Sequence, residues 1–185
     1  MNMPIHRPLA LSSLGSGLLV LACAAAARLP ATEDPADASA LVVGTYDSRA
    51  VAIAHASSDR FREHMNGLRA ELEAAQAAGD QARVAELEAL GPALQQRLHA
   101  QGFGTASVDA LLEPVAAELP ALAEATGVDL IVSRWDVLWQ APDAVCVDVT
   151  EALVDLMQPD ERGRANALAI REQEPVPLED LDHDH

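Results

Sequence analysis

This chain has no lysine. Its 12 basic residues are all arginine, set against 29 aspartates and glutamates, and the net charge is −17. Nucleic acid is excluded as a partner, because phosphate binding needs a basic patch and the sequence offers none. Aromatic residues are equally scarce: Tyr46, Phe61, Phe103, Trp135 and Trp139 are the whole supply. A core drawn from that inventory is thin, and thin cores reach stability by burying surface against a second subunit. The two cysteines are Cys23 and Cys146. If Cys23 is modified, Cys146 stands alone and no internal disulfide can form; a lone thiol of this kind is expected to be a small buried residue.

Catalytic signatures are also missing. Gly102-Phe103-Gly104 follows a helical pattern and lacks the third glycine of a dinucleotide loop. No serine occupies a nucleophile elbow. Glu71 with Glu73, and Glu86 with Glu88, are two apart on a helix and diverge; they read as solvated charges, with Arg69 and Glu73 at i, i+4. Of six histidines, only His183 and His185, beside Asp182 and Asp184, form a local cluster, and a tail segment supplies nothing to orient such ligands. His55, His64 and His99 read as surface residues. The expectation is a non-enzyme with no cofactor and no metal.

What the sequence does have is a mirror. Phe61, Met65, Leu68, Leu72 and Ala75 step by 4, 3, 4, 3; beyond Gly79-Asp80, Val84, Leu87, Gly91, Leu94 and Leu98 step by 3, 4, 3, 4. Folding the chain back at Gly79 pairs Phe61 with Leu98, Met65 with Leu94, Leu68 with Gly91, Leu72 with Leu87 and Ala75 with Val84. Spacing of this kind makes a narrow seam that one partner helix covers. It predicts an antiparallel helical hairpin over 49–100, its first helix running from Arg49 to Ala78, with a kink near Pro92. Charge in this arm is nearly balanced, six arginines against seven acids.

The N-terminus carries the one long uncharged run, Leu9 to Ala27, preceded by His6 and Arg7. It reads as an export signal. Val20-Leu21-Ala22-Cys23 resembles a lipobox, which makes Cys23 the lipidation candidate; cleavage within Ala24–Ala27 and retention as an uncleaved anchor stay open. Residues 24–40 are an acidic, flexible tether.

After the arm, Ser107 can cap a helix striped by Val108, Leu111, Leu112, Val115, Leu119 and Leu122, which Pro114 and Pro120 interrupt. Asp129–Ser133 and Val137–Gln140 read as a β-hairpin turning on Arg134-Trp135-Asp136, and Val145–Val147 as a further extended piece. Trp135 and Trp139 are expected to fill the small core or a subunit interface. Glu151–Met157 is a short helix capped by Asp148 or Thr150. Residues 158–185 are acidic and expected to be largely disordered, with a weak helical turn near Ala165–Ile170.

Three stretches carry a family resemblance. Val42–Val51, Gly127–Val132 and Asp148-Val149-Thr150, in that order around the hairpin, resemble the opening strand, the later strand and the D-[IV]-T closure of the Skp/OmpH-like periplasmic chaperones. The match spans 41–157. It implies an α+β, mostly helical protein: a small β-containing body, oligomeric (a homotrimer by resemblance), with helical arms that hold unfolded or partly folded envelope proteins. Two departures stand out, an arm shorter than the best-known members carry and an acidic rather than basic chain. The expected organisation is export signal 1–23, tether 24–40, body 41–157 with arm 49–100, and tail 158–185. The second reading is an envelope lipoprotein acting as a structural adaptor. Both place the chain in the periplasm or cell envelope, tethered to a membrane.

Overall fold

A computed structural model describes residues 41–181. The export segment, Cys23, the tether and the Asp182–His185 cluster lie outside the described residues. The chain is mostly helical with one three-stranded sheet. In chain order the elements are β1 (Val43–Tyr46), α1 (Ser48–Ala56), α2 (Asp59–Ala78), α3 (Gln81–Gly102), α4 (Asp109–Leu112), α5 (Leu119–Thr126), β2 (Leu130–Ser133), β3 (Cys146–Asp148), α6 (Thr150–Leu156), α7 (Glu161–Ala169) and α8 (Leu178–Leu181). A 3-10 turn follows α4 at Glu113–Val115 and another follows α7 at Ile170–Glu172.

The sheet is all parallel, in the order β2-β1-β3. This corrects the expected β-hairpin: Val137–Gln140 forms no strand. The chain turns sharply at Ser133, whose carbonyl accepts the Asp136 amide (3.1 Å) and whose Oγ accepts the Trp135 amide (3.3 Å). It then runs back through a loop, so that Cys146 enters on the other side of β1. Register pairs Val43 with Leu130 and Cys146, and Thr45 with Val132 and Asp148. Successive residues of a strand face opposite sides. Gly44 and Tyr46 are buried against the helices, while Val43 and Thr45 share the other face with Leu130, Val132 and Cys146. A Cβ on Gly44 would lie 3.1 Å from Val128 Cγ2, 3.2 Å from the Leu130 carbonyl and 3.3 Å from Val149 Cγ1, so the central strand is tightly covered on its inner side.

The core is made of small residues, as the scarcity of aromatics requires. Helix α1 runs through its middle: Ala50, Val51 and Ala54 are fully buried, packed with Val108, Val149, Leu153 and Val154. Four caps set helix starts. Asp47 accepts the Arg49 amide, Ser58 the Phe61 amide, Asp80 the Arg83 amide and Asp160 the Gly163 amide; each contributes about 1 kcal/mol. Gly79, at φ +70°, ends α2 in the left-handed conformation that glycine adopts without a steric penalty.

Four further expectations are corrected. The single helix Arg49–Ala78 is two helices, because Ser57 and Ser58 turn their hydroxyls onto the carbonyls of Ile53 and His55, and Ser58 then caps α2; Ser58 also bridges to Pro159. The tail beyond residue 158 is not disordered through residue 181. Helix α7 packs on α1, with Gly163 and Ala167 buried in the contact. Cys146 is exposed rather than buried. Trp139 is 78% exposed, which corrects the core half of its expected place, a core or a subunit interface.

Candidate functional site

Three regions offer chemistry or surface: the α2–α3 pair, a buried charged hub at the start of α1, and the outer face of the sheet.

Helices α2 and α3 lie against one another beyond the Gly79 turn. Ala75, Val84 and Leu87 are buried between them, with Leu68 and Leu72 packed alongside. Farther from the turn the contact opens. Met65, Leu68, Leu90, Gly91 and Leu94 border a cavity of about 120 Å³, and His64, Leu68, Leu90, Leu94 and Arg97 border a neighbouring one of about 230 Å³. A Cβ placed on Gly91 would meet nothing within 4 Å, so the gap coincides with the one glycine of the seam. Leu90 stands 43% exposed at its edge. Helix α3 continues through Pro92 although that residue cannot donate to the Glu88 carbonyl.

At the far end of the predicted seam, Phe61 and Leu98 each have neighbours outside α2 and α3. Phe61 lies against the His55 ring, centroids 5.4 Å apart. Leu98 shares a cavity wall with Ile53 and Phe103, where α3 packs on α1. Burial, with Arg60 and His64 adding positive charge, lowers the His55 pKa below the ordinary imidazole value. On the arm surface Arg83 pairs with Glu71 and Glu86, both at 2.6 Å, and Arg69 reaches Asn66 at 3.2 Å. Exposed pairs of this kind contribute little to stability; they leave the arm's surface close to neutral.

The hub is centred on Arg49, 1% exposed. Its Nε donates to Asp47 Oδ1 (3.0 Å), its Nη2 to Asp47 Oδ2 (2.8 Å) and its Nη1 to the Gln173 carbonyl (2.8 Å). The Asp47 amide donates to Thr150 Oγ1 (3.0 Å). The guanidinium carbons of Arg49 and Arg134 lie 4.9 and 4.8 Å from the Trp135 ring centroid, and Arg134 Nη1 is 3.7 Å from Asp47 Oδ2. Burial works to raise the Asp47 pKa, but the hydrogen bonds and charge of Arg49, with Arg134 behind them, hold it below the usual carboxylate range. Planar bidentate pairing of this kind is what guanidinium does and ammonium does not. The hub ties β1, α1, α6, the loop after β2 and the segment after α7 to one point. The Asp47–Arg49 pair is sealed from solvent while Arg134, the second arginine facing Asp47, stays half exposed, so the buried pair holds structure.

The hub's long-range members leave no trace in the sequence. Asp47-Ser48-Arg49 reads as a helix cap, and nothing in the spacing points to a partner at Gln173. On the outer sheet face, Leu130 and Cys146 are exposed, and Leu138 and Trp139 stand beside Thr45 around a cavity of about 340 Å³. Among the described residues no group of three or more His, Cys, Asp or Glu side chains is placed to hold a metal ion, and no helix is long and apolar enough to cross a membrane. No family model, curated protein or solved structure matches the chain.

Proposed function

We propose that this chain is an exported, membrane-tethered binding protein of the Skp/OmpH-like chaperone type. On this reading it holds unfolded or partly folded envelope proteins with an arm made of α2 and α3 as an antiparallel helical hairpin. The observation that carries the reading is the open apolar groove between those helices at Leu68, Leu90, Gly91 and Leu94. A client segment with apolar side chains at intervals finds there a surface that the seam itself does not fill, and neutral flanks that neither attract nor repel it. Tethering comes from the N-terminal segment, through lipid on Cys23 or through an uncut signal. Assembly, a homotrimer by resemblance, is supported by two unpaired strand edges, those of β2 and β3.

The test is suppression of aggregation of an unfolded β-barrel protein by the purified, folded oligomer, with Leu90→Glu as the arm variant. Glutamate keeps the helix and places a charge at the groove. Wild-type protection that Leu90→Glu loses supports the reading; no protection by a folded oligomer overturns it. Light scattering gives the assembly, and a Cys23→Ser variant that stays with membranes overturns lipidation as the tether. A second reading, an envelope adaptor without holdase activity, is favoured by the scarcity of large apolar side chains on the arm's outside. Recovery of one folded partner instead of many unfolded ones selects it.

A further inference from the structure

All-parallel sheets are almost always covered on both faces. Here helices cover one face, while on the other Leu130, Cys146 and Asp148 are exposed and Val43, Thr45 and Val132 are half-buried. Leu138 is 100% exposed, Trp139 78%, Leu41 60%, and Leu130 and Val145 49% each. Leu130, by its register with Val43, and Leu138 and Trp139, beside Thr45, belong to this outer side, whereas Val145, one residue before Cys146, alternates away from it. Leu130 pairs with Val43, the Val145 carbonyl accepts the Val43 amide (3.0 Å), and Leu41 is two residues before Val43, so three of the five gather around the start of β1. Leu138 and Trp139 adjoin Thr45, which shares the outer face with Val43.

We propose that this outer face, led by the Val137–Trp139 loop, is a membrane-contact surface that enters the headgroup boundary of an electrically neutral lipid bilayer; the inference rests on the membrane-tethered part of the proposed function. Three features select a bilayer. The most exposed apolar groups sit on a loop, where a fluid boundary takes them in without needing a matching hollow. Tryptophan is the side chain that prefers that boundary, its ring in the acyl region and its N–H among headgroups. The uncharged Leu9–Ala27 run also lies upstream of β1, with the thirteen residues 28–40 between it and Leu41.

A second copy of the chain fits this surface less well. Asp129, Asp136 and Asp143 are exposed in the segments flanking it, against one half-exposed cation, Arg134, and a second copy would bring the negative charge of another chain of net −17 toward them. The same acids select neutral over anionic lipid, where they stay in water.

The test uses the full chain with vesicles of phosphatidylcholine brominated on the acyl chains. Bromine quenches indole only within the bilayer. Trp135, packed against Arg49 and Arg134, serves as the internal reference. Quenching and a blue shift that vanish in Trp139→Phe, and that Leu138→Asp abolishes with unchanged thermal unfolding, support the inference. Vesicle-bound protein with unquenched Trp139 overturns it and leaves the tether standing; if Trp139 is then also shielded from iodide, a second copy covers the face. A chain that does not sediment with the vesicles overturns both.

Discussion

Replacing Gly163 by alanine poses two physical effects against each other. The residue lies in the first turn of α7. On backbone grounds alone alanine is the better helix former, by up to about 1 kcal/mol. The packing says otherwise: a Cβ there would sit 2.2 Å from Ser57 Cβ, 2.6 Å from Ser57 Oγ and 3.0 Å from Asp160 Oδ1. Ser57 Cβ is one bond from the backbone at the end of α1, so no rotamer change moves it, and α7 must lift from α1. Overpacking of this order costs about 1–3 kcal/mol, which exceeds the propensity gain. Gly163→Ala is therefore expected to destabilise by about 1–2 kcal/mol, or about 2–8 °C in Tm for a domain of this size. Urea unfolding followed by circular dichroism reads it. Gly67→Ala is the control: it lies in α2 with nothing within 4 Å of the new Cβ and should gain about 0.5–1 kcal/mol. Combining Gly163→Ala with Ser57→Gly should recover part of the loss, and the double-mutant cycle isolates the clash. If Gly163→Ala gains stability as Gly67→Ala does, the close α1–α7 contact is refuted.

Tyr46 is the single tyrosine, and burial, with Asp109 and Asp136 adding negative charge, pushes its pKa up to about 12. Its ultraviolet titration should therefore fall near that value when folded and near about 10 in urea; since the unfolded chain loses the proton first, stability declines as pH rises above about 10. Arg49→Met leaves the Asp47 carboxylate buried beside Arg134 alone and should cost about 3–5 kcal/mol in urea unfolding at pH 7. Because the folded Asp47 pKa is depressed, the advantage of wild type over Asp47→Asn is present above about pH 4 and is lost as pH falls through the folded value; urea midpoints across that range check the sign. Gln158, at φ +53°, holds a left-handed conformation just after α6, so Gln158→Gly should stabilise by about 1 kcal/mol, read as a rise in Tm.

Local patterns in the sequence are readable and distant ones are not. The Asp80 cap and the Gly79 stop depend on residue types within a turn of one another, and the structure places Ala75, Val84 and Leu87 together as their spacing suggests. The break at Ser57-Ser58 is in principle legible, since tandem serines compete for helix carbonyls, but the apolar period runs on past it. The sheet misleads because Val137-Leu138-Trp139 has the composition of a strand; nothing local says that β1 takes its second neighbour from Cys146–Asp148 instead. The fold of residues 158–181 is hidden because their acidic, charge-rich composition has no apolar stripe of its own. They are ordered by what α1 offers: Gly163 fits against Ser57, and the Gln173 carbonyl meets Arg49.

That last hydrogen bond sets an order of events. It joins residues 124 positions apart, and β1 waits for Cys146–Asp148, next to which the Asp47 amide meets Thr150 at a separation of 103. Helices α2 and α3 meet across the short Gly79-Asp80 turn, although α3 also packs on α1. During synthesis the helical pair can form early, while the sheet and α1 must wait until nearly the whole chain exists, since contacts between distant segments form slowly. A chain stopped short of Gln173 would present the α2–α3 pair beside an unclosed sheet and α1, with Arg49 lacking its Gln173 acceptor and the α1 surface bare to any protease at hand.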